Sequence, residues 1–202
     1  MNVILGSTSP RRKSIVSGLV ESFCVVPPSV DETHRPPESP TEFATRIAGE
    51  KCASILESGA VESTPALVIT ADTVVTVDGA IIGKPADFDD AVRIITLLSG
   101  RTHRVITGLT LHAVSSGGRV NHTRTGHETT EVRFKKLVPE EITRYLAAND
   151  YRDKAGAYAF QEQGHLIIAG YRGSVTNIIG FPLRLFFSMA AEMALIGEIF
   201  AV

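Results

Sequence analysis

The tightest constraint on the fold is the stretch Val3-Ile4-Leu5-Gly6-Ser7-Thr8-Ser9-Pro10-Arg11-Arg12. So short an unbroken apolar run reads as a buried strand. The small residues after it form a turn that lets backbone N–H groups approach a ligand. Ser9 suits a helix N-cap and Pro10 the first helical position. A strand therefore ends, a tight loop follows, and a helix begins with two arginines in its first turn. The helix dipole disfavours cations there. The pair calls for an anion from outside, such as a phosphate chain, although a basic helix start facing solvent stays open on spacing alone. Ser7 and Ser9 have no base partner in the pattern and read as turn-forming, phosphate-contacting residues. The GxxxxGK[ST] spacing of a P-loop is absent.

The remaining pattern alternates strands with helices, which implies one α/β domain over residues 1–202. A helix is expected from Pro10 to about Val20 and a strand over Phe23–Val26. An irregular Pro-flanked stretch follows, and then a helix opened by the capping box Ser39-Pro40-Thr41-Glu42. Leu67–Val77 reads as a strand, turned by Asp78-Gly79 into Ala80–Ile82. Asp87 caps a helix that stops at Gly100. Two long strands, Arg101–Val114 and Val120–Phe134, are joined through Gly117-Gly118, and Pro139 opens another helix. Leu166–Ala169 and Val175–Ile179 read as strands, and the rest as a terminal helix.

The 202-residue chain has a formal net charge of −2, which argues against a broad basic face for nucleic acid. Arg184, Glu192 and Glu198 interrupt the apolar C-terminal stretch, so no bilayer span is expected. The first residues lack the layout of a secretory signal. Cys24 and Cys52 are not in a CxxC and read as two buried free thiols of a cytoplasmic protein.

The chemistry is carried by scattered charges. Asp72 closes an apolar strand, where an acid needs a metal or a hydrogen-bond network to offset its burial; a carboxylate that caps neighbouring N–H groups is the plainer alternative. Asp31 and Glu32 lie in the irregular stretch, where acids are ordinarily just solvated. Arg11, Arg12, Lys51, Lys84 and Lys154 follow loops or flank helix ends, a distribution suited to a polyphosphate. Magnesium on such a substrate is held by one or two carboxylates and the phosphates themselves. His103, on a strand, reads as a hydrogen-bonded structural residue before a catalyst. The polar, small-residue segment Asp153–Gln161 suits a site-forming loop.

These segments resemble the Maf family of nucleoside triphosphate pyrophosphatases. The resemblance is carried by Leu5–Arg12, Val30-Asp31-Glu32-Thr33, Ala48-Gly49-Glu50-Lys51, Ala71-Asp72-Thr73-Val74-Val75, Gly83-Lys84-Pro85 and Ser99-Gly100-Arg101-Thr102-His103. It continues through Asp153-Lys154-Ala155-Gly156-Ala157-Tyr158 with Gln161, and Gly173-Ser174 to Gly180-Phe181-Pro182. It implies a mixed twisted sheet divided into two lobes around a central cleft, with helices outside, commonly in a homodimer. It implies hydrolysis of a nucleoside triphosphate to monophosphate and pyrophosphate with Mg²⁺ or Mn²⁺. Asp72 is then the general base or a metal-bound acid, Glu32 a second acid at the metal, and Arg11, Arg12, Lys51 and Lys84 the phosphate holders. The motif combination is similar to the dTTP/UTP branch, where Arg12, Thr73 and Gln161 occupy the specificity positions. Two alternatives remain: a nucleotide-binding regulator of cell division, and an inosine-triphosphate-type housekeeping pyrophosphatase.

Overall fold

In a computed structural model, which describes residues 1–61, 65–114 and 120–199, seven strands form one mixed sheet. The elements are β1 (Asn2–Gly6), α1 (Pro10–Ser17), β2 (Cys24–Val25), α2 (Pro40–Glu57), β3 (Ala66–Val77), β4 (Ala80–Ile82), α3 (Phe88–Leu98) and β5 (Thr102–Val114). They continue as β6 (Val120–Phe134), α4 (Pro139–Ala148), a 3₁₀ turn (Ala155–Ala157), α5 (Gly164–Ile167), β7 (Ile168–Arg172), α6 (Val175–Ile179), α7 (Leu183–Glu192) and α8 (Ile196–Ile199). The hydrogen-bonded order is β2-β1-β3-β5-β6-β7, with β4 paired to β3. The mixed α/β class expected from the sequence is observed. Among the described residues no helix is long and apolar enough to cross a membrane.

The chain forms two compact units. The first comprises Met1–Asp72, Thr107–Glu128 and Gly180–Val202. Here β1 lies parallel to β2 and β3, with Leu5 opposite Val25 and Ile69. Alternation along β1 sends Val3 and Leu5 into a core with Leu109, Leu111, Phe181 and Phe186, and Ile4 into another with Cys52 and Ile55. The run expected to be a buried strand is thus buried, and on both faces. The helix α2 carries the complete capping box at Ser39 and Glu42. It lies hard against the sheet: Thr70 Oγ1 donates to the Ala48 carbonyl at 2.7 Å, and a Cβ on Gly108 would sit 2.2 Å from the Ala44 oxygen.

The second unit comprises Thr73–Ile106 and Thr129–Ile179. The Asp78-Gly79 turn has positive φ at both residues, 51° and 82°, the geometry expected of a tight hairpin. Asp87 caps α3 through the Asp90 amide at 2.8 Å. Ile94, Ile95, Leu98, Val105, Val132, Phe134 and Tyr145 form the core. His103 is buried there, 2.8 Å from the Tyr158 hydroxyl, with Phe134 and Tyr158 edge-on to its ring.

Several sequence expectations need correction. Helix α1 stops at Ser17, before Val20, at a Ser-Gly pair of low helix propensity. Val175–Ile179 is helical rather than extended. Ser174 Oγ accepts from the Asn177 amide, and the buried Asn177 amide group donates to the Val105 carbonyl and Thr130 Oγ1. These bonds outweigh the β-branched bias of Val175 and Thr176. Leu166 lies in α5, so the neighbouring strand begins only at Ile168. Cys24 is exposed, because β2 is only two residues long and both lie outside the core, whereas Cys52 is buried as expected. The terminal helix is broken after Glu192, with Ala194 at φ 56°. The Gly117-Gly118 turn lies outside the described residues.

Two outcomes follow from this packing. Gly108→Ala drives a methyl group into the α2 backbone and is expected to destabilise the chain by about 2 kcal/mol or more in urea titrations. Burial pushes the His103 pKa down to about 4, from an ordinary value of 6.5. Between those values the unfolded chain binds the extra proton. Stability therefore falls as pH drops from about 6.5 towards 4, by up to about 3 kcal/mol from this group, and is unaffected by it above that window. Urea midpoints measured against pH should show this slope, and His103→Gln should flatten it.

Candidate active site

The first unit gathers seven of the residues singled out by the sequence, and its centre is Lys51. On α2 the buried stripe runs Ile47, Ala48, Lys51, Cys52, Ile55, so a lysine takes a core position. Its ammonium lies 2.7 Å from Asp72 Oδ1 and 2.7 Å from Glu32 Oε1. The Lys51 and Asp72 side chains are 8% and 11% exposed and that of Glu32 is 52% exposed, so one pair is buried and the other stands at its mouth. Asp72 is placed by β3 at the end of its first-unit segment, and Glu32 by the irregular stretch before α2. A buried carboxylate needs such a countercharge.

The turn after β1 supplies the cationic side. Ser9 caps α1 through the Arg12 amide, while Ser7 Oγ accepts from the Ser9 amide at 3.2 Å and from Arg12 Nη1 at 3.3 Å. Arg12 Nε donates to the Gly180 carbonyl at 2.8 Å, which fixes the fork in place. Burial presses the Arg12 guanidinium below its ordinary range. Arg11 pushes the same way, and Asp72 and Glu32 oppose them. The arginine thus feels both carboxylates. Arg11, Arg12 and Lys51 thus share this part of the first unit with Asp72 and Glu32, a concentration of cationic donors suited to contacting a polyanion.

The second unit holds the other candidates. Thr73 follows Asp72 on β3 and is half-buried; Lys84 and Gln161 are exposed. Lys84 and Lys154 belong to segments joined by a backbone bond from the Gly156 amide to the Gly83 carbonyl at 3.1 Å. Gly156 has φ 75°, and a Cβ there would meet Val75 at 3.1 Å, so only glycine fits. Lys154 is buried, its ammonium engaged by the Asp150 carbonyl, by Glu162 at 3.0 Å and by Asp153 at 3.4 Å.

Sequence reasoning missed the Gly180 carbonyl as the anchor of Arg12, since a main-chain acceptor 168 positions away leaves no local signal. It also gave Arg46 no role, although Glu42 and Glu50 flank it at helical spacing.

A family model described as Maf-like protein matches residues 2–193. The chain is 37% identical over 187 residues to the dTTP/UTP pyrophosphatase of Thermococcus gammatolerans, covering 93% of this chain and 94% of that one. It is 39% identical over 181 residues to the dTTP/UTP pyrophosphatase of Pelotomaculum thermopropionicum, covering 90% and 91%. Among solved structures, the Staphylococcus aureus Ham1 protein aligns with a TM-score of 0.49 and 10% identity, over 96% of this chain and 100% of that one.

The buried pair makes a direct test of coupling. Lys51→Met leaves Asp72 without its countercharge and is expected to cost about 3 kcal/mol of stability. Adding Asp72→Asn should recover part of that loss, so that urea unfolding shows strong non-additivity between the two positions.

Proposed function

Because the chain belongs to the Maf-like protein family, we propose that it hydrolyses dTTP and UTP to the monophosphate and pyrophosphate. The observation that carries this reading is a buried lysine held 2.7 Å from each of two carboxylates, with Arg12 electrostatically coupled to both acids. Relatives of 37% and 39% identity over most of the chain bear the name of that activity.

In this reading Asp72 takes a proton from the attacking water, and the new P–O bond forms as the α–β phosphoanhydride bond breaks. Pyrophosphate leaves with the bonding electron pair. Arg11, Arg12, Lys51 and Lys84 bind the phosphates and stabilise the charge that builds on them. Ser7 and Ser9 shape the turn and meet phosphate oxygens. Arg12, Thr73 and Gln161 select the base, for which a hydroxyl and an amide offer the donors and acceptors that a pyrimidine edge needs. Lys154, expected from its motif to bind substrate, is held by Asp150, Asp153 and Glu162, and its part is to shape the loop that carries it.

Asp72 and Glu32 would also be the residues to hold Mg²⁺ or Mn²⁺, since both are hard oxygen donors brought beside the same ammonium, each through one of its two carboxylate oxygens. Among the described residues no group of three or more His, Cys, Asp or Glu is arranged to hold an ion. The remaining coordination would come from phosphate oxygens and water, as Mg²⁺ prefers. Bound there, the ion supplies charge neutralisation and a more acidic water. The proposed assembly is a homodimer, on family resemblance alone.

Incubation with dTTP, UTP and ITP in the presence of Mn²⁺ should release monophosphate and pyrophosphate, fastest with the pyrimidines. Asp72→Asn should lower turnover by about a thousandfold or more while the chain stays folded by circular dichroism. Release of single phosphates, or an ITP preference, would count against the reading.

A further inference from the structure

We propose that Arg46 is the positioning residue that holds Glu32 in place over Lys51, an inference that rests on the reading of Glu32 as a metal acid given above. Glu32 stands on a stretch without helix or strand, and its side chain is half exposed. Its ion pair with Lys51, half exposed to solvent, is too weak to order the backbone that carries it.

Arg46 supplies what that stretch lacks. Its Nη2 donates to the carbonyl of Thr33, the residue after Glu32, at 3.0 Å. Its Nε and Nη2 grip the two oxygens of Glu38 at 2.8 and 2.6 Å, and Nη1 reaches Glu50 at 3.1 Å. One planar fork on α2 thereby ties both ends of the segment 33–38 to the helix that bears Lys51. The surrounding contacts close the arrangement. Phe43 lies under the guanidinium at 5.4 Å and takes the His34 ring edge-on at 5.6 Å. His34 Nε2 lies 2.8 Å from the Glu38 carbonyl, and the Arg35 amide donates to Glu38 Oε1 at 2.6 Å. Asp31 Oδ1 accepts from the Thr33 amide and hydroxyl, so the turn bearing Glu32 is itself rigid once Thr33 is fixed.

The chemistry requires arginine. Four bonds leave one side chain in three directions, and a lysine offers no planar fork to match the carboxylate and the carbonyl together. The hydrogen bond from Arg46 is also the chief reason that the Glu38 carboxyl is pulled down to about 2. The clamp therefore stays charged on both sides at any pH where the enzyme would work.

The test uses the full chain with Arg46→Met, Arg46→Lys, Glu38→Gln and Glu32→Gln. Mn²⁺ binding without nucleotide is read by electron paramagnetic resonance, and amide hydrogen exchange is followed over residues 31–38. Arg46→Met should weaken Mn²⁺ binding about tenfold, the scale seen when a group supporting a metal ligand is removed. Exchange at Thr33 and Arg35 should accelerate. The Mn²⁺ concentration for half-maximal dTTP turnover should rise by the same factor, with kcat at saturating Mn²⁺ within about threefold of wild type. Arg46→Lys should not restore the clamp. Glu38→Gln, which breaks it from the loop side and leaves α2 intact, should reproduce the effect if Arg46→Met folds poorly. Unchanged exchange over 31–38 in both clamp variants overturns the positioning role. So does wild-type Mn²⁺ affinity in both when Glu32→Gln binds weakly. Wild-type affinity in Glu32→Gln is a separate failure, that of Glu32 as a metal acid, and it overturns the functional half of the inference with it.

Discussion

The interaction between the Lys51 ammonium and the Asp72 carboxylate is the constraint that organises the first unit. Taking both groups out of water is costly, and only a short, well-aligned pair offsets that cost. The pair therefore demands a fixed distance between α2 and β3. The apolar stripe of α2, the Thr70 bond to the Ala48 carbonyl and the bare surface at Gly108 together set that distance. Glu32 then adds a second carboxylate at the mouth. The same ammonium faces two acids, so neither acid can shift without the lysine responding.

The arginines of α1 are organised by a different device. Their helix start is electrostatically unfavourable for cations, yet Arg12 is turned aside by Ser7 and by the Gly180 carbonyl. Main-chain and hydroxyl acceptors hold the fork in a fixed direction. The positive charge is thus oriented before any anion arrives, which lowers the reorganisation that binding needs. Lys154 in the second unit shows the contrary arrangement, a lysine surrounded by Glu162, Asp153 and the Asp150 carbonyl.

Much of this was legible in the sequence where local chemistry and tertiary structure agree. The run Val3–Leu5, the capping box at Ser39, the Asp78-Gly79 turn and the Asp87 cap all lie where their residue types put them. The errors fall where a distant partner decides. Val175–Ile179 is rich in β-branched residues and reads as strand, but it is helical and from that helix the Asn177 side chain reaches the Val105 carbonyl. Cys24 looks like a core residue, but β2 is too short to bury it. In the candidate site, the acid at the end of an apolar strand and the arginine pair stood out as costly placements. The role of Arg46 was not legible, because its acceptors, Thr33 and Glu38, are held by a loop whose path no periodicity encodes.

The close approach of Gly108 to the Ala44 carbonyl has a wider implication. Where two backbones touch with no side chain between them, there is nothing to repack. The helix is keyed to the sheet and can neither roll nor rise. A chain built this way can explore new substrates through its loops and exposed tips, while the lysine at its centre stays out of reach of gradual redesign.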